Sequence, residues 1–331
     1  MTNAVDSALS SADEANSIEL AHPSVSLSRL DELWFQVTGT RCNLTCTHCF
    51  ISCSPENNTF GSLDIDSIKP HLDASRGLGV KEYYFTGGEP FLHPQIVEII
   101  ALTLSYGPVT VLTNGTVMTP TLVNALSVAA QDALYSLEFR VSLDHFDAAL
   151  NDTIRGAGSY RLAMRGLSRL ASGGFLPIVT AMRTWELDQD LEIIEQLGHA
   201  LRAIGVGKPR IKILPSLKLG AELERSGSYE SCDFVTTDMM VDYPVEQLLC
   251  THSRIITDRG VHVCPILIEA PDALLGQTLA DAHPEFELKH QACSTCYLFG
   301  AFCTNPGPMI AEAKPVNIKP RAIPTAHEVA Q

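Results

Sequence analysis

No apolar run in this 331-residue chain approaches the ~18 residues that a membrane-spanning helix requires, so no membrane association is expected. The segment Met1 to His22 lacks the basic and apolar regions of a signal peptide. Rich in Ser, Ala, Asp, Glu and Asn, it reads as part of a disordered N-terminal segment, 1–30. Positive charge is also scarce, with 23 Lys and Arg against 38 Asp and Glu and a net charge of −15. Neutralising a phosphate backbone takes basic patches, so a nucleic-acid partner is not expected. The acidity reads as plain solubility. Internal repeats are absent, apart from a strand–helix alternation.

What the chain does have is cysteine. Ten cysteines without an export signal argue against a disulfide framework, and for reduced thiols in the cytoplasm. Nine of the ten fall in 42–53 and 250–303, a segregation that metal sites produce. The first group lies in Thr40–Phe50, T-R-C-N-L-T-C-T-H-C-F, and sets Cys42, Cys46 and Cys49 in a C-x3-C-x2-C spacing. Three thiolates on one loop can hold three corners of a cubane iron–sulfur cluster, leaving one iron open. An open position marks a catalytic metal site; a zinc knuckle is the competing reading.

From Leu33 the chain alternates strand-like runs (33–37, 81–85, 109–112, 137–143, 177–182 and 210–214) with helical patterns. Pro70 should confine the regular part of the first helix, 63–77, or sit in its first turn. His93-Pro94 should open the second, with proline at its first position, and Thr119-Pro120 should cap the third. Six βα units predict an α/β fold, a parallel partial (βα)6 TIM-like barrel, over 31–215. Its active face should lie at the C-terminal strand ends, where the cysteine loop and Thr86–Pro90 both sit. Residues 216–249 read as a linker. Lys212, Ser216 and Lys218 are candidate lining residues. Arg254–Val263 then has the form of a β-hairpin, with Cys250 and Cys264 at its flanks. With Cys293-Ser294-Thr295-Cys296 it predicts a small hairpin-and-helix unit, 250–305, holding four ligands for a closed cluster or for zinc. The Pro-rich stretch 306–331 reads as an irregular tail.

The cysteine loop followed by Gly87-Gly88-Glu89-Pro90 resembles the radical S-adenosylmethionine (SAM) superfamily. Ser142-Leu143-Asp144 tightens that resemblance. Arg155-Gly156-Ala157-Gly158-Ser159 is similar to a segment common in the branch with a C-terminal auxiliary-cluster domain (Twitch/SPASM-like), which the C-terminal cysteines resemble in its short, one-cluster form. The resemblance covers roughly positions 31–305 and implies a [4Fe-4S] cluster on Cys42, Cys46 and Cys49, with SAM chelating the open iron. Reductive cleavage of SAM would give a 5′-deoxyadenosyl radical that takes a hydrogen atom from substrate. It further implies that Gly87 and Gly88 admit the methionyl moiety, with Glu89 on its ammonium and Pro90 completing the motif. Arg155 would meet its carboxylate, with Ser142 and Asp144 near the ribose or methionyl part. His48 would lie against adenine, and Asn114 is a weaker contact around SAM. One auxiliary [4Fe-4S] cluster falls to Cys250, Cys264, Cys293 and Cys296. Cys303 is left over as an inert thiol, a substitute ligand or a hydrogen donor. Cys53 and Cys232 read as structural thiols.

The resemblance implies a flavodoxin- or ferredoxin-type electron donor. Residues 1–30 are too short and polar for a leader-peptide-gripping module, which favours oxidation of a small-molecule biosynthetic intermediate, assisted by the auxiliary cluster. Modification of a ribosomal peptide, epimerisation with a cysteine donor, and a non-catalytic iron–sulfur or zinc scaffold are the competing readings.

Overall fold

Strand runs that are apolar on both faces build the centre of the molecule, as a sheet covered on both sides demands. The computed structural model describes residues 22–300. Its strands are β1 (Ser24–Ser26), β2 (Glu32–Gln36), β3 (Glu82–Thr86), β4 (Val109–Thr113), β5 (Leu137–Ser142), β6 (Ile178–Met182) and β7 (Arg210–Leu214). Then follow β8 (Ser253–Thr257), β9 (Gly260–His262), β10 (Leu274–Gly276) and β11 (Glu285–Glu287). The helices are α1 (Ile65–Leu78), α2 (Ile96–Thr103), α3 (Pro120–Gln131), α4 (Ala148–Arg155), α5 (Ser159–Ser172), α6 (Asp190–Ala203), α7 (Gly220–Ser226) and α8 (Ala292–Phe299).

Strands β2 to β7 lie side by side in chain order, all parallel, as the expected open barrel of six βα units. The two-residue period of a strand assigns each side chain to a layer. On β2 and β3, Leu33, Phe35, Tyr83 and Phe85 point to the helices and enter the main core. Trp34 and Tyr84 point into the barrel, stacked at 4.1 Å with rings 8° apart.

Local signals explain most helix ends. Asp64 caps α1 by accepting from Ser67 N at 2.8 Å, and Gly79, at φ 77°, stops it. Thr119 caps α3 with Pro120 in its first turn, as expected. Two expectations are corrected. Helix α1 runs straight through Pro70, which is exposed, so the missing N–H costs a bond only on the water side. Helix α2 begins at Ile96 rather than at Pro94, and the first-turn proline is instead Pro90, in the 3-10 turn Pro90–Leu92. Helix α4, capped by Asp147, had no clear apolar period and went unanticipated.

The C-terminal region differs from the expected separate unit. The hairpin β8–β9 forms, but β8 pairs in parallel with β2, so the barrel sheet runs directly into it in the order β10-β9-β8-β2. Part of the segment 1–30 is ordered as well: β1 pairs antiparallel with β11, with Val25 buried opposite Phe286. Residues 1–21 and 301–331, with Cys303 and the expected tail, lie outside the described residues.

Candidate active site and a second cysteine cavity

The C-terminal ends of the barrel strands open into a cavity with about 1330 Å³ of empty space, mouth included. Cys42, Cys46 and Cys49 all line it, together with His48, Gly87, Gly88, Asn114, Ser142 and Arg155. The cysteine loop is tied down at several points. Cys42 N donates to Ser54 O at 3.0 Å, Thr47 N to Ile154 O at 2.9 Å, and Ala221 N to Cys49 O at 3.0 Å. The sulfurs themselves receive hydrogen bonds: Leu44 N and Asn114 Nδ2 donate to Cys42, and Cys53 N donates to Cys49 at 3.3 Å. Cys53 therefore belongs to the cavity wall rather than to a remote core.

The electrostatics of the three thiols differ. Burial pushes Cys42 up to about 11 and Cys46 up to about 12, the latter opposed by the Arg155 guanidinium. Hydrogen bonds from the Cys53 thiol and amide bring Cys49 down to about 6 against its burial. A cubane needs each sulfur deprotonated, so its irons have to displace the protons of Cys42 and Cys46 on binding.

The glycines of the G-G-E-P loop serve loop-to-loop packing. A Cβ on Gly88 would overlap the Arg41 carbonyl, and one on Gly87, at φ 147°, would overlap the Thr38 hydroxyl. Their absence lets Gly88 N reach Gly39 O at 2.9 Å and Glu89 N reach Arg41 O at 3.1 Å. Glu89 lies beneath the cavity wall rather than on it. Its fully buried carboxylate accepts from Phe91 N at 3.1 Å, Thr113 Oγ1 at 2.7 Å and Asn114 N at 2.7 Å. Burial raises it to about 7, the three donors only partly offsetting that. Pro90 is likewise buried behind the wall.

Asp144 is also displaced from its expected place beside a ligand. It is fully buried and holds two wall residues from behind. His48 Nε2 is 2.7 Å from Oδ2, Arg155 Nε is 2.6 Å from the same oxygen, and Arg155 NH2 donates to Oδ1 at 3.1 Å. Met182 N donates to Oδ1 at 2.9 Å. Burial would raise this carboxyl, but Arg155 and His48 hold it well below the usual carboxylate range. Arg155 owes its position to the R-G-x-G-S turn. Asp152 accepts from Gly158 N and Tyr160 N, which fixes the end of α4 against the start of α5.

Of the expected lining, Lys212, Ser216 and Lys218 do not reach the cavity; Leu214, Pro215 and Leu217 do. Lys218 donates instead to Ser228 O, and Ser216 to Glu222. Trp34, Gln36, Arg140, Thr180 and Met182 also line it and were not anticipated. One signal existed: Gln36 is a polar residue inside an otherwise apolar strand run.

A second cavity, with about 360 Å³ of empty space, lies in the C-terminal region. Cys250, Cys264, Cys293 and Cys296 are its only polar side chains; the remainder of the lining is apolar. Cys250 precedes β8 and Cys264 follows β9, so the hairpin brings them together. Cys293 and Cys296 stand three apart on α8 and therefore share a face. Phe286 of β11 closes one side. Burial raises all four thiols, Cys296 to about 12. The amides of Ile266 and Leu267 hydrogen-bond Cys264 and oppose that rise. Among the described residues no three His, Cys, Asp or Glu side chains are arranged around a single metal ion; the four thiols surround a void. That donor set suits a polynuclear cluster, in which each thiolate binds its own iron. The described cysteines are all free, and Cys232 is exposed and away from both cavities. No helix among the described residues is long and apolar enough to cross a membrane.

An open parallel barrel with three cysteines, a G-G-E-P loop and a buried Arg–Asp–His group at its mouth defines a class, and residues 37–197 match the model of the radical SAM superfamily. Residues 37–197 thus form a radical SAM domain, and the cofactors of that superfamily are a [4Fe-4S] cluster and SAM. Among its relatives, the mycofactocin maturase MftC of Mycobacterium ulcerans is 31% identical over 167 residues, 49% of this chain and 43% of that protein. The subtilosin biosynthesis protein AlbA of Bacillus subtilis is 30% identical over 164 residues, 48% of this chain and 35% of that protein. The chain thus spans less than half the length of these two. Streptococcus suis SuiB shares the fold. Bound to SAM it gives a TM-score of 0.58 at 14% identity, covering 74% of this chain and 62% of SuiB. Bound to its precursor peptide SuiA it gives 0.57 at 15% identity, covering 78% and 64%.

Proposed function

We propose that this chain is a peptide-modifying radical SAM enzyme that uses one auxiliary cluster. The observation that carries the proposal is the shared wall: three cysteines, one open face, and a guanidinium held by a buried carboxylate, all on one cavity. Cys42, Cys46 and Cys49 would hold the cluster. Arg155 presents a fixed positive charge for the carboxylate of SAM, a charge-assisted contact. Asp144 acts through Arg155 and His48 as a positioning residue. Bound together, the cluster and SAM supply one-electron reductive cleavage of a sulfonium and removal of a hydrogen atom from substrate. The protein's part is to hold and orient both in one cavity at the strand ends.

The peptide reading, second to a small-molecule substrate in the sequence, moves ahead here. Support comes from relatives described as a maturase and a bacteriocin biosynthesis protein, and from a neighbour solved with its precursor peptide. The four thiols of the second cavity support an auxiliary cluster on Cys250, Cys264, Cys293 and Cys296, and a flavodoxin or ferredoxin would be the electron donor. Anaerobic incubation of the reconstituted, reduced protein with SAM should yield 5′-deoxyadenosine, and Cys42→Ala should abolish it. No 5′-deoxyadenosine from the intact protein would end the catalytic reading. A precursor peptide encoded beside the gene should then change mass on turnover. Loss of two hydrogens would signify oxidation; gain of deuterium from D2O alone would signify epimerisation.

A further inference from the structure

Gln36 ends β2, and its side chain is 1% exposed. Neither its Oε1 nor its Nε2 has a hydrogen-bond partner among the described residues. It follows Trp34 by two positions, so it shares the face that points into the barrel, and it lines the large cavity. A buried amide left unpaired is penalised by the full desolvation of its donor and its acceptor, and native proteins seldom carry one without a reason.

The chemistry of the two free atoms selects the ligand. A carboxylate offers two acceptors and would be repelled by Oε1, and an ammonium offers donors alone. A group with one donor and one acceptor side by side satisfies both atoms. In an extended peptide the N–H and C=O of a single residue point the same way, as they do in a hydrogen-bonded pair between strands. The wall is mixed: Trp34, Leu112, Ile255 and Ile268 supply apolar surface that favours the desolvation such a pair needs, beside the polar Thr86, Arg140 and Thr180.

We propose that Gln36 is the substrate-anchoring residue, taking the N–H and C=O of one residue of an extended peptide segment and so fixing which residue faces the reacting centre. The proposal rests on the peptide-modifying reading above. Its test uses SAM-loaded holoenzyme and a mixed-sequence pool of N-acetylated, C-amidated tetrapeptides, with retention on ultrafiltration read by mass spectrometry. A parallel pool carries N-methylated peptide bonds. The wild type should retain a subset of the first pool and none of the second. Gln36→Leu and the isosteric Gln36→Glu should each reduce retention at least tenfold, with the Kd for SAM within twofold of wild type. Gln36→Leu should also melt no lower than wild type, because it removes a buried unpaired group.

Equal retention by wild type and Gln36→Leu overturns the proposal and leaves the peptide reading standing. So does retention of the N-methylated pool. A tenfold weaker Kd for SAM in the variants overturns it too, by assigning Gln36 to the adenine edge of the cofactor. No retained peptide on the wild type overturns both the proposal and the reading it rests on.

Discussion

Asp144 shows how much one buried carboxylate can hold in place. It binds Arg155, His48 and the Met182 amide at once. Asp144→Asn leaves Arg155 buried without its counter-charge, which should destabilise the fold by about 3–5 kcal/mol. Chemical denaturation should register the loss, and the Kd for SAM should rise with it. Glu89 gives the opposite sign. Its carboxyl is raised from 4.5 to about 7 in the fold, so the folded chain binds the extra proton between those values. The stability associated with that proton is complete below about pH 4.5 and is lost as pH rises through 7. The cofactor-free chain should therefore lose about 3 kcal/mol from this group between pH 5 and 8. Glu89→Gln, which cannot ionise, should flatten that part of the profile.

The residues at the mouth were partly legible in the sequence. Cys42, Cys46, Cys49 and Arg155 could be placed because their motifs are local and their spacing carries chemistry. Asp144 and Glu89 were identified but assigned to ligand contact. Sequence shows that a charge is present, not whether a backbone amide or a neighbouring arginine has already taken it. Lys212, Ser216 and Lys218 failed for a different reason. Past the end of β7 the alternation of faces is no longer set by the strand, and the cavity took Pro215 and Leu217 rather than Ser216 and Lys218. Lys212 lies inside β7, and of that strand only Leu214, at its end, reaches the cavity.

Among the elements, the helices followed their caps, and where the caps were clear the sequence placed them well. Pro70 is the exception: α1 tolerates it in mid-helix on its exposed face. Pro70→Ala would restore one helical hydrogen bond and relieve the ring's clash with the preceding turn. It should stabilise the chain by roughly 1–3 kcal/mol, read as a rise in Tm. The small strands β1, β10 and β11 were not legible, since three-residue segments carry too little period to register. Their pairing is decided by what they cover, as with Val25 and Phe286 over the second cavity.

For the molecule as a whole, one continuous nine-stranded sheet reaches both cysteine cavities, the first at the end of β2 and the second at the ends of the hairpin β8–β9. If each holds a cluster, the intact chain should carry about eight irons, by the four-iron composition of each. Cys293→Ala should retain about four, still form 5′-deoxyadenosine without substrate, and give no product. Iron analysis and a cleavage assay would separate these outcomes. A chain ending at residue 215 would keep all six parallel strands β2 to β7 yet leave one side of β2 unpaired, because β8 is its neighbour there. An exposed, apolar strand edge is a template for association, so this truncation should aggregate rather than yield a free barrel. Light scattering during refolding would report it.

The pairing of β2 with β8 also has a consequence for synthesis. Glu32 pairs in register with Ser253, so the partners stand 221 positions apart in the chain. At roughly 5–20 residues per second, translation takes on the order of 10–40 s to deliver the second strand after the first. Through that interval Trp34 and its strand have no neighbour on one side, and the nascent chain has to wait with its innermost strand half-dressed. Slower elongation lengthens that interval, and should raise the insoluble fraction recovered on sedimentation of freshly made chain.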